Sequence, residues 1–211
     1  MDLGSIYNWF TPKIKLCEME DKTALQVIYK LVLDRARRVF KSKYFRKATK
    51  YHDQDGFNQL VYYHEIVTSL LAETKLLLLD YQKIQQESQI YNYVADNIGE
   101  CLINSIKSTG AKDKEIPFWS GYLERKEENI SARITEMREL AIKNGSNFCR
   151  ALVNMPENLI VRSSASDAYD FFTAKDRGDK KDEKLLNYIL DEHTKMFKDI
   201  KNIIIDGTGS G

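Results

Sequence analysis

The stretch from Arg35 to Lys50 carries the residue types and spacing best suited to chemistry, because it concentrates positive charge among aromatic side chains. It contains eight basic residues and no acidic residue. Lys and Arg side chains that contact phosphate groups release bound counterions, and aromatic rings can stack on nucleic-acid bases. This basic segment therefore predicts an anion- or nucleic-acid-binding surface. Its candidate binding residues are Arg35, Arg37, Arg38, Lys41, Lys43, Tyr44, Phe45, Arg46, Lys47 and Lys50.

The charge of the basic segment has other interpretations as well. Residues 1–50 hold twelve Lys and Arg against five Asp and Glu, whereas the whole chain has a formal net charge of only +1. The segment could bind the anionic surface of a membrane, or the acidic remainder of another copy of the chain. It could also be a solvated helix face that offsets acidic neighbours. All four interpretations stay open at the level of sequence.

A second pattern with chemical potential lies at the end of the basic segment, where Arg46-Lys-Ala-Thr-Lys-Tyr-His52 places a His after an Arg and five intervening residues. This heptapeptide resembles the active-site motif of the HEPN-type helical ribonucleases, with Lys47 as the polar residue that follows the Arg. The resemblance implies a dimeric, helical enzyme in which Arg46 and His52 of paired protomers line a cleft and attack RNA. It covers these seven residues of the chain.

Other familiar catalytic and metal-binding patterns do not occur in the sequence. None of the three His residues has a carboxylate or Cys partner at zinc or di-iron spacing. There is also no glycine-rich phosphate loop that precedes a helix, and no nucleophile elbow. We therefore predict no metal and no cofactor. We expect His64 to be a satisfied residue at the boundary of the core and His193 to lie on the surface.

The element that must position these groups is the long helical stretch that follows them. From Phe57 to Ile98 there is neither Gly nor Pro, and apolar residues recur at heptad spacing. The first and fourth heptad positions are Leu60, Tyr63, Val67, Leu70, Thr74, Leu77, Tyr81, Ile84, Ser88, Tyr91, Ala95, Ile98, Leu102 and Ser105. Leu76-Leu77-Leu78-Leu79 is apolar on all sides, so we expect it at the centre of a bundle.

The length of this stretch limits how it can fold. An unbroken helix of about 50 residues would span roughly 75 Å, which is long for a compact domain of this size. The apolar seam lapses at residues 85–88. We therefore predict an all-α fold, a helical bundle built around one long central helix of about residues 55–107, either whole or bent near residue 87. The alternative is a coiled-coil dimer formed on the seam.

Shorter helices are predicted on either side of the central one. The first begins at Asp21 or Thr23 and either ends near Lys41 or continues as an exposed basic arm. Further helices are predicted from Ile116-Pro117 to Asn144, over 146–153 until Pro156 closes the segment, after Ser163–Ser166, and from about Asp182 to Ile205. We predict that residues 1–206 form a single helical domain, in which 1–20 are an N-terminal arm, 124–128 a solvated face and 175–182 an exposed loop. Residues 207–211 read as a linker or expression scar.

Composition indicates a globular, intracellular chain. The 211 residues are 43% hydrophobic and 30% charged, an ordinary mixture for a folded protein. The three cysteines Cys17, Cys101 and Cys149 are odd in number and far apart, which predicts reduced thiols and a cytoplasmic location. Neither a secretory signal nor a transmembrane segment is expected.

Taken together, the sequence favours a non-catalytic, intracellular helical protein with an interaction or regulatory role, which binds a protein partner or itself as a homodimer. The first alternative is a nucleic-acid-binding protein that contacts RNA or DNA through residues 35–50. The second alternative is a HEPN-like dimeric ribonuclease that uses Arg46 and His52. An anionic membrane surface is a further class of partner for the basic segment.

Overall fold

A computed structural model describes residues 14–84, 89–108, 116–144, 155–173 and 182–207. Over these ranges the protein is all-α and has no β-strand, as the sequence predicts. None of the helices described is long and apolar enough to cross a membrane. The predicted helix over 146–153, and most of the arm 1–20, the loop 175–182 and the tail 207–211, lie outside the described residues.

Seven α-helices and two short 3₁₀ helices make up the described ranges. The α-helices are α1 Asp21–Lys41, α2 Lys43–Ala48, α3 Gly56–Ile84, α4 Ile90–Ser108, α5 Ile116–Asn144, α6 Pro156–Thr173 and α7 Glu183–Ile205. The 3₁₀ helices are Leu16–Glu18, before α1, and Tyr51–Asp53, between α2 and α3. The bounds of α1, α5 and α7 agree with the sequence predictions to within two residues.

The single long central helix is not confirmed. The stretch predicted as one helix forms α3 and α4, which pack against each other. The apolar seam lapses between them at residues 85–88, which lie outside the described residues. Eight seam positions are at most 1% exposed within the chain: Val67, Leu70, Thr74, Leu77, Tyr91, Ala95, Ile98 and Leu102. The heptad pattern thus marks buried faces of two helices within one chain.

Helix α3 is the centre of the bundle, because it packs against α1, α4, α5, α6 and α7. Its middle turns carry the apolar side chains expected there, and Leu70, Leu71, Leu77 and Leu78 are fully buried. A helix surrounded on most sides must be apolar around most of its circumference. The Leu76–Leu79 run meets that condition, with Leu76 and Leu79 half-buried.

Helix α6 is longer than the sequence predicts. Pro156 was expected to close a helix, and helical structure was expected only after Ser163. Instead Pro156 is the first residue of α6. Proline is well tolerated there because the first amide groups of a helix have no intrahelical acceptor. At the start of α7, the Asp182 carboxylate caps the helix, because it accepts hydrogen bonds from the amides of Lys184 and Leu185, both at 3.1 Å.

The short helix α2 is held to the bundle by one aromatic side chain. Ser42 caps α2 by accepting a hydrogen bond from the Phe45 amide at 3.3 Å. The Phe45 ring is fully buried, with its centroid 5.1 Å from Phe172 on α6 and 6.3 Å from Tyr188 on α7. Tyr44 also meets Tyr188, at 5.4 Å, but stays 40% exposed. Phe45 therefore anchors the helix that carries much of the basic segment.

We predict that Phe45→Ala lowers the free energy of unfolding by about 3–5 kcal/mol, because it removes a fully buried ring and leaves a cavity. Tyr44→Ala is the matched control and should cost no more than about 1 kcal/mol, since that ring is partly solvated. Urea denaturation followed by circular dichroism measures both. Equal losses for the two variants would contradict the anchoring role of Phe45.

Candidate functional site

A concave depression opens where α2 meets the 3₁₀ helix Tyr51–Asp53. Its volume is about 430 Å³, and it is lined by Lys43, Arg46, Lys47, Lys50, His52 and Asp53. We call this depression the basic cleft. All of its lining residues come from one short stretch of chain, and all except the half-buried Arg46 are exposed. The structure thus brings together four of the eight predicted basic residues.

The backbone between α2 and the 3₁₀ helix explains why these side chains converge. Thr49 closes α2, because its amide and its hydroxyl both donate to the Phe45 carbonyl at 2.9 Å. Lys50 then adopts a left-handed conformation with φ 51° and ψ 36°, which is uncommon for a side chain without the local hydrogen bonding of Asn or Asp. The chain reverses there, and the Asp53 amide donates to the Lys50 carbonyl at 3.0 Å. This reversal brings His52 back against α2.

Contacts with α1 hold α2 and the 3₁₀ helix Tyr51–Asp53, the two elements that form the cleft, in place. The Arg46 guanidinium donates from Nη2 to the Lys41 carbonyl at 3.0 Å, which holds the side chain across the end of α1. The Tyr51 ring packs edge-on against Phe40 of α1, with centroids 4.8 Å apart, and against His52 at 5.3 Å. The cleft therefore rests on side chains that are themselves packed against the bundle.

Positive charge dominates the cleft. The residues that line it are four cations, His52 and one carboxylate, that of Asp53, so the formal charge of the lining is +3 with His52 neutral. Over the ranges that the structure describes, Lys43 and Lys47 have no carboxylate partner. The Arg46 bond to Lys41 uses one of five guanidinium donors. Its Nε is buried and has no hydrogen-bond acceptor among the described residues, so any donors that reach the cleft are the remaining Nη hydrogens. The cleft can therefore donate several charge-assisted hydrogen bonds to an anion.

The other predicted binding residues lie elsewhere. Arg37, Arg38 and Lys41 are exposed on α1, outside the lining of the cleft, and Arg37 is paired with Asp34 at 3.2 Å. Tyr44 is the partly exposed ring described above. Phe45 was expected on the binding surface, and its complete burial corrects that expectation, because the ring fills the space between α6 and α7.

Arg35 is also interior and is a second correction. Its side chain is 8% exposed and lies between α1 and α7, where Nη1 contacts Glu192 at 3.2 Å and Nη2 contacts Asp199. Burial by itself lowers the pKa of Arg35, but the two carboxylates outweigh burial and raise it. A guanidinium that is consumed by two internal carboxylates is not available to an external phosphate.

The interior contains a group of charges that sequence reasoning missed. The ammonium group of Lys126 on α5 lies between Glu65 of α3, at 2.5 Å, and Asp167 of α6, at 2.6 Å. Tyr122 donates its hydroxyl hydrogen bond to Glu65. Arg133 contacts Asp167 at 3.4 Å and extends the network towards the surface. Sequence reasoning placed Lys126 on a solvated face, but its side chain is 7% exposed, so the structure corrects that prediction.

Burial shifts the pKa values of the groups in the Lys126 network. Burial raises the pKa of the Glu65 carboxyl, and the adjacent Lys126 ammonium and Tyr122 hydroxyl offset part of that rise. For Lys126, burial acts to lower the pKa, but the two carboxylates raise it above its usual value. Burial and the Glu65 carboxylate also raise the pKa of Tyr122. Lys126 is therefore charged at neutral pH and compensates the carboxylates on both sides.

A second buried pair joins α3 to α7. The Nδ1 atom of His193 is hydrogen-bonded to the Glu73 carboxylate, and the Glu73 side chain is 0% exposed. Burial raises the pKa of Glu73, and His193 offsets part of the rise. His193 was expected on the surface, and that prediction is wrong. It lies four residues after the buried Ile189 and three before the buried Met196, on the inward face of α7.

His64 occupies a third buried position, on α3. It is 7% exposed, with its ring centroid 4.6 Å from that of Trp119. Its Nδ1 atom has no hydrogen-bond partner among the described residues. Burial lowers the pKa of His64 to about 4, so the ring is neutral at neutral pH. His64 was expected at the boundary of the core with its hydrogen bonds satisfied. It is buried instead, and its Nδ1 atom has no partner among the described residues.

Neither set of buried charges forms a reaction centre open to substrate. Glu65 and Glu73 are both 0% exposed, so their chemistry is confined to their internal partners. Over the described ranges, no cluster of three or more His, Cys, Asp or Glu residues could hold a metal ion. The interior charges stabilise and align helices, whereas the basic cleft presents its cations to solvent.

A second depression lies between α4 and α5, beside α3. Its volume is about 370 Å³, and charges of both signs line it. The Lys75 ammonium is paired there with the Glu127 carboxylate at 2.8 Å. Because its cations and carboxylates compensate one another, this depression has less selectivity for an anion than the basic cleft.

Comparison with protein-family models, with curated proteins and with solved structures finds no match for this chain. The likeness of Arg46–His52 to the HEPN ribonuclease motif accordingly rests on those seven residues alone. The structure adds that both side chains line the basic cleft.

We predict that Lys126→Met lowers the free energy of unfolding by about 3–5 kcal/mol, because it leaves two buried carboxylates without their counter-charge. Lys75→Met is the matched control, since it breaks a partly exposed ion pair, with 27% and 20% exposure of its partners. That control should cost about 1 kcal/mol or less. Denaturation at pH 7 measures both, and a similar cost for the two variants would contradict the dominant role of the Lys126 network.

The buried His64 makes a second prediction, on the pH dependence of stability. Its folded pKa is about 4, below the ordinary value of 6.5, so the unfolded chain takes up the proton first as the pH falls. The contribution of His64 to the free energy of unfolding is therefore fully present above pH 6.5 and is lost progressively towards pH 4. The loss corresponds to roughly 3 kcal/mol.

Comparison of the wild type with His64→Phe isolates this contribution, because most other titrating groups cancel in the difference. The unfolding free energy of the wild type minus that of the variant should fall by roughly 3 kcal/mol between pH 7 and pH 4. Denaturant titrations at several pH values provide the measurement. A difference that stays constant across this range would show that His64 does not titrate as its burial requires.

Proposed function

We propose that this protein binds nucleic acid by contacting phosphate groups in the basic cleft. One observation carries the proposal, which is the convergence of Lys43, Arg46, Lys47 and Lys50 on a single concave surface. Lys and Arg side chains in such a surface replace the counterions of a nucleic acid, and the released ions favour binding. This was the first alternative from the sequence, and the geometry supports it best.

The exposure of the neighbouring residues favours contacts with phosphate over contacts with bases. Among the aromatic residues of the basic segment, Phe45 is buried and Phe40 is half-buried, which leaves Tyr44 as the ring most exposed to a base. Binding that uses phosphates alone carries little sequence preference. We therefore expect affinity that depends steeply on salt and weakly on sequence.

The concave shape of the cleft favours a phosphate group over a membrane surface. Lipid headgroups form a broad layer, and cations that attract this layer act best from a flat or convex face. Cations within a depression are better placed to surround a single anionic group. The four cations of the cleft lie in such a depression, whereas Arg37, Arg38 and Lys41 lie outside it.

The other functions predicted from the sequence keep less support. A protein-interaction role stays a prediction, because no described surface identifies a partner. RNA cleavage by Arg46 and His52 also stays a prediction, favoured by their shared position in the basic cleft. RNA that stays intact after incubation with the protein would leave binding alone as the role of the cleft.

We predict that Lys43→Glu combined with Lys47→Glu weakens binding to a fluorescent single-stranded RNA by at least about a hundred-fold at low salt. The slope of log K against log salt concentration should become shallower by about 1.4, because two phosphate contacts are lost and each contributes about 0.7 on a single strand. Fluorescence anisotropy over a series of salt concentrations measures both quantities. Both side chains are exposed, so the fold should be unaffected, which circular dichroism checks.

The matched control is Lys22→Glu combined with Lys30→Glu. These lysines are exposed on α1 away from the cleft, and the double variant changes the net charge by the same amount. It should retain the wild-type salt dependence. If both double variants weakened binding equally, or if the wild type did not bind RNA at low salt, the cleft would not be the nucleic-acid site.

A further inference from the structure

The four cations of the basic cleft line one depression instead of a straight stripe. Along a continuous helix, Lys43, Lys47 and Lys50 would form a stripe about 10 Å long, since each residue advances the helix by 1.5 Å. The left-handed conformation of Lys50 ends α2, and the chain reversal returns His52 and Asp53 to the same depression. The resulting surface is a depression of about 430 Å³, not a straight track along one helix.

A pocket of this kind suits a different phosphate from a track. An internal phosphodiester carries one negative charge and continues into further phosphates on both sides. A phosphate monoester at the end of a strand carries about −1.5 to −2 charges at neutral pH and offers three acceptor oxygens. The excess of three positive charges in the cleft matches the monoester better than a single diester.

We propose that the basic cleft binds the terminal phosphate monoester of a nucleic-acid strand in preference to internal phosphodiesters. This inference rests on the proposed function and specifies which part of the nucleic acid occupies the cleft. The Arg46 guanidinium and the Lys43, Lys47 and Lys50 ammonium groups surround the phosphate. Free nucleoside monophosphates carry the same group, so the test must separate the two sources.

The test compares two short single-stranded RNAs of identical sequence, one with a 5′-phosphate and one with a 5′-hydroxyl, each labelled at the 3′ end. Anisotropy with the full chain should give a Kd about ten-fold or more lower for the phosphorylated strand, because charge-assisted hydrogen bonds to the monoester are added. Lys47→Glu should abolish this preference, whereas the exposed Lys22→Glu control should retain it.

Each outcome separates this inference from the proposed function. Equal affinity for the phosphorylated and hydroxyl strands, with steep salt dependence, would overturn the inference and keep nucleic-acid binding in the cleft. Failure of every strand to bind would overturn both. Adenosine monophosphate serves as a competitor. If it displaces the strand only at concentrations far above the Kd of the strand, the result supports binding of the strand end. If it displaces the strand near that Kd, a free nucleotide is the occupant and the inference that the cleft binds a strand end is overturned.

Discussion

The architecture depends on the placement of one ammonium group between two carboxylates. Lys126 of α5 is buried, and it meets Glu65 of α3 and Asp167 of α6 at hydrogen-bond distance. A buried charge without its partner costs several kcal/mol. Sliding α5 by one turn past α3 or α6 would separate these groups. We therefore infer that these ionic contacts help to specify how the three helices align.

Two further ionic links act on α7. His193 joins α7 to α3 through Glu73, and Arg35 joins it to α1 through Glu192 and Asp199. The basic segment is consequently fixed to α7 at two points, by Arg35 in α1 and by the ring of Phe45 in α2. Between and beyond these two anchors, Arg37, Arg38, Lys41, Lys43, Lys47 and Lys50 are exposed. The interior pairs thus determine which basic side chains can reach the cleft.

The features that sequence predicts well are those encoded locally. The ends of α1, α5 and α7 follow from periodicity and capping residues, as in Asp182, which is followed by the apolar stripe of α7. The charge of the cleft is visible in the composition of residues 35–50. Its concave shape is not, because it arises from the left-handed backbone of Lys50, for which the sequence offers no Gly or Asn as a signal.

The buried charges could not be predicted from the neighbouring sequence, for a different reason. Lys126 is surrounded in sequence by Glu and Arg, as on a solvated face, while its partner Glu65 lies 61 residues away. A weaker signal does exist. Glu65 and Glu73 are acids within the most apolar part of α3, and a carboxylate in such surroundings requires a partner from another helix. On α7, the gap in the apolar stripe between Ile189 and Met196 falls on Glu192 and His193.

The packing of α3 against α4 has a consequence for self-association. The heptad seam that could have joined two chains is already occupied inside one chain. A dimer formed on that seam would require α3 and α4 to separate and re-form the same contacts with a second copy, which is domain swapping. Such an exchange would proceed no faster than partial unfolding of the bundle. Any rapidly reversible dimer must therefore form on a different face.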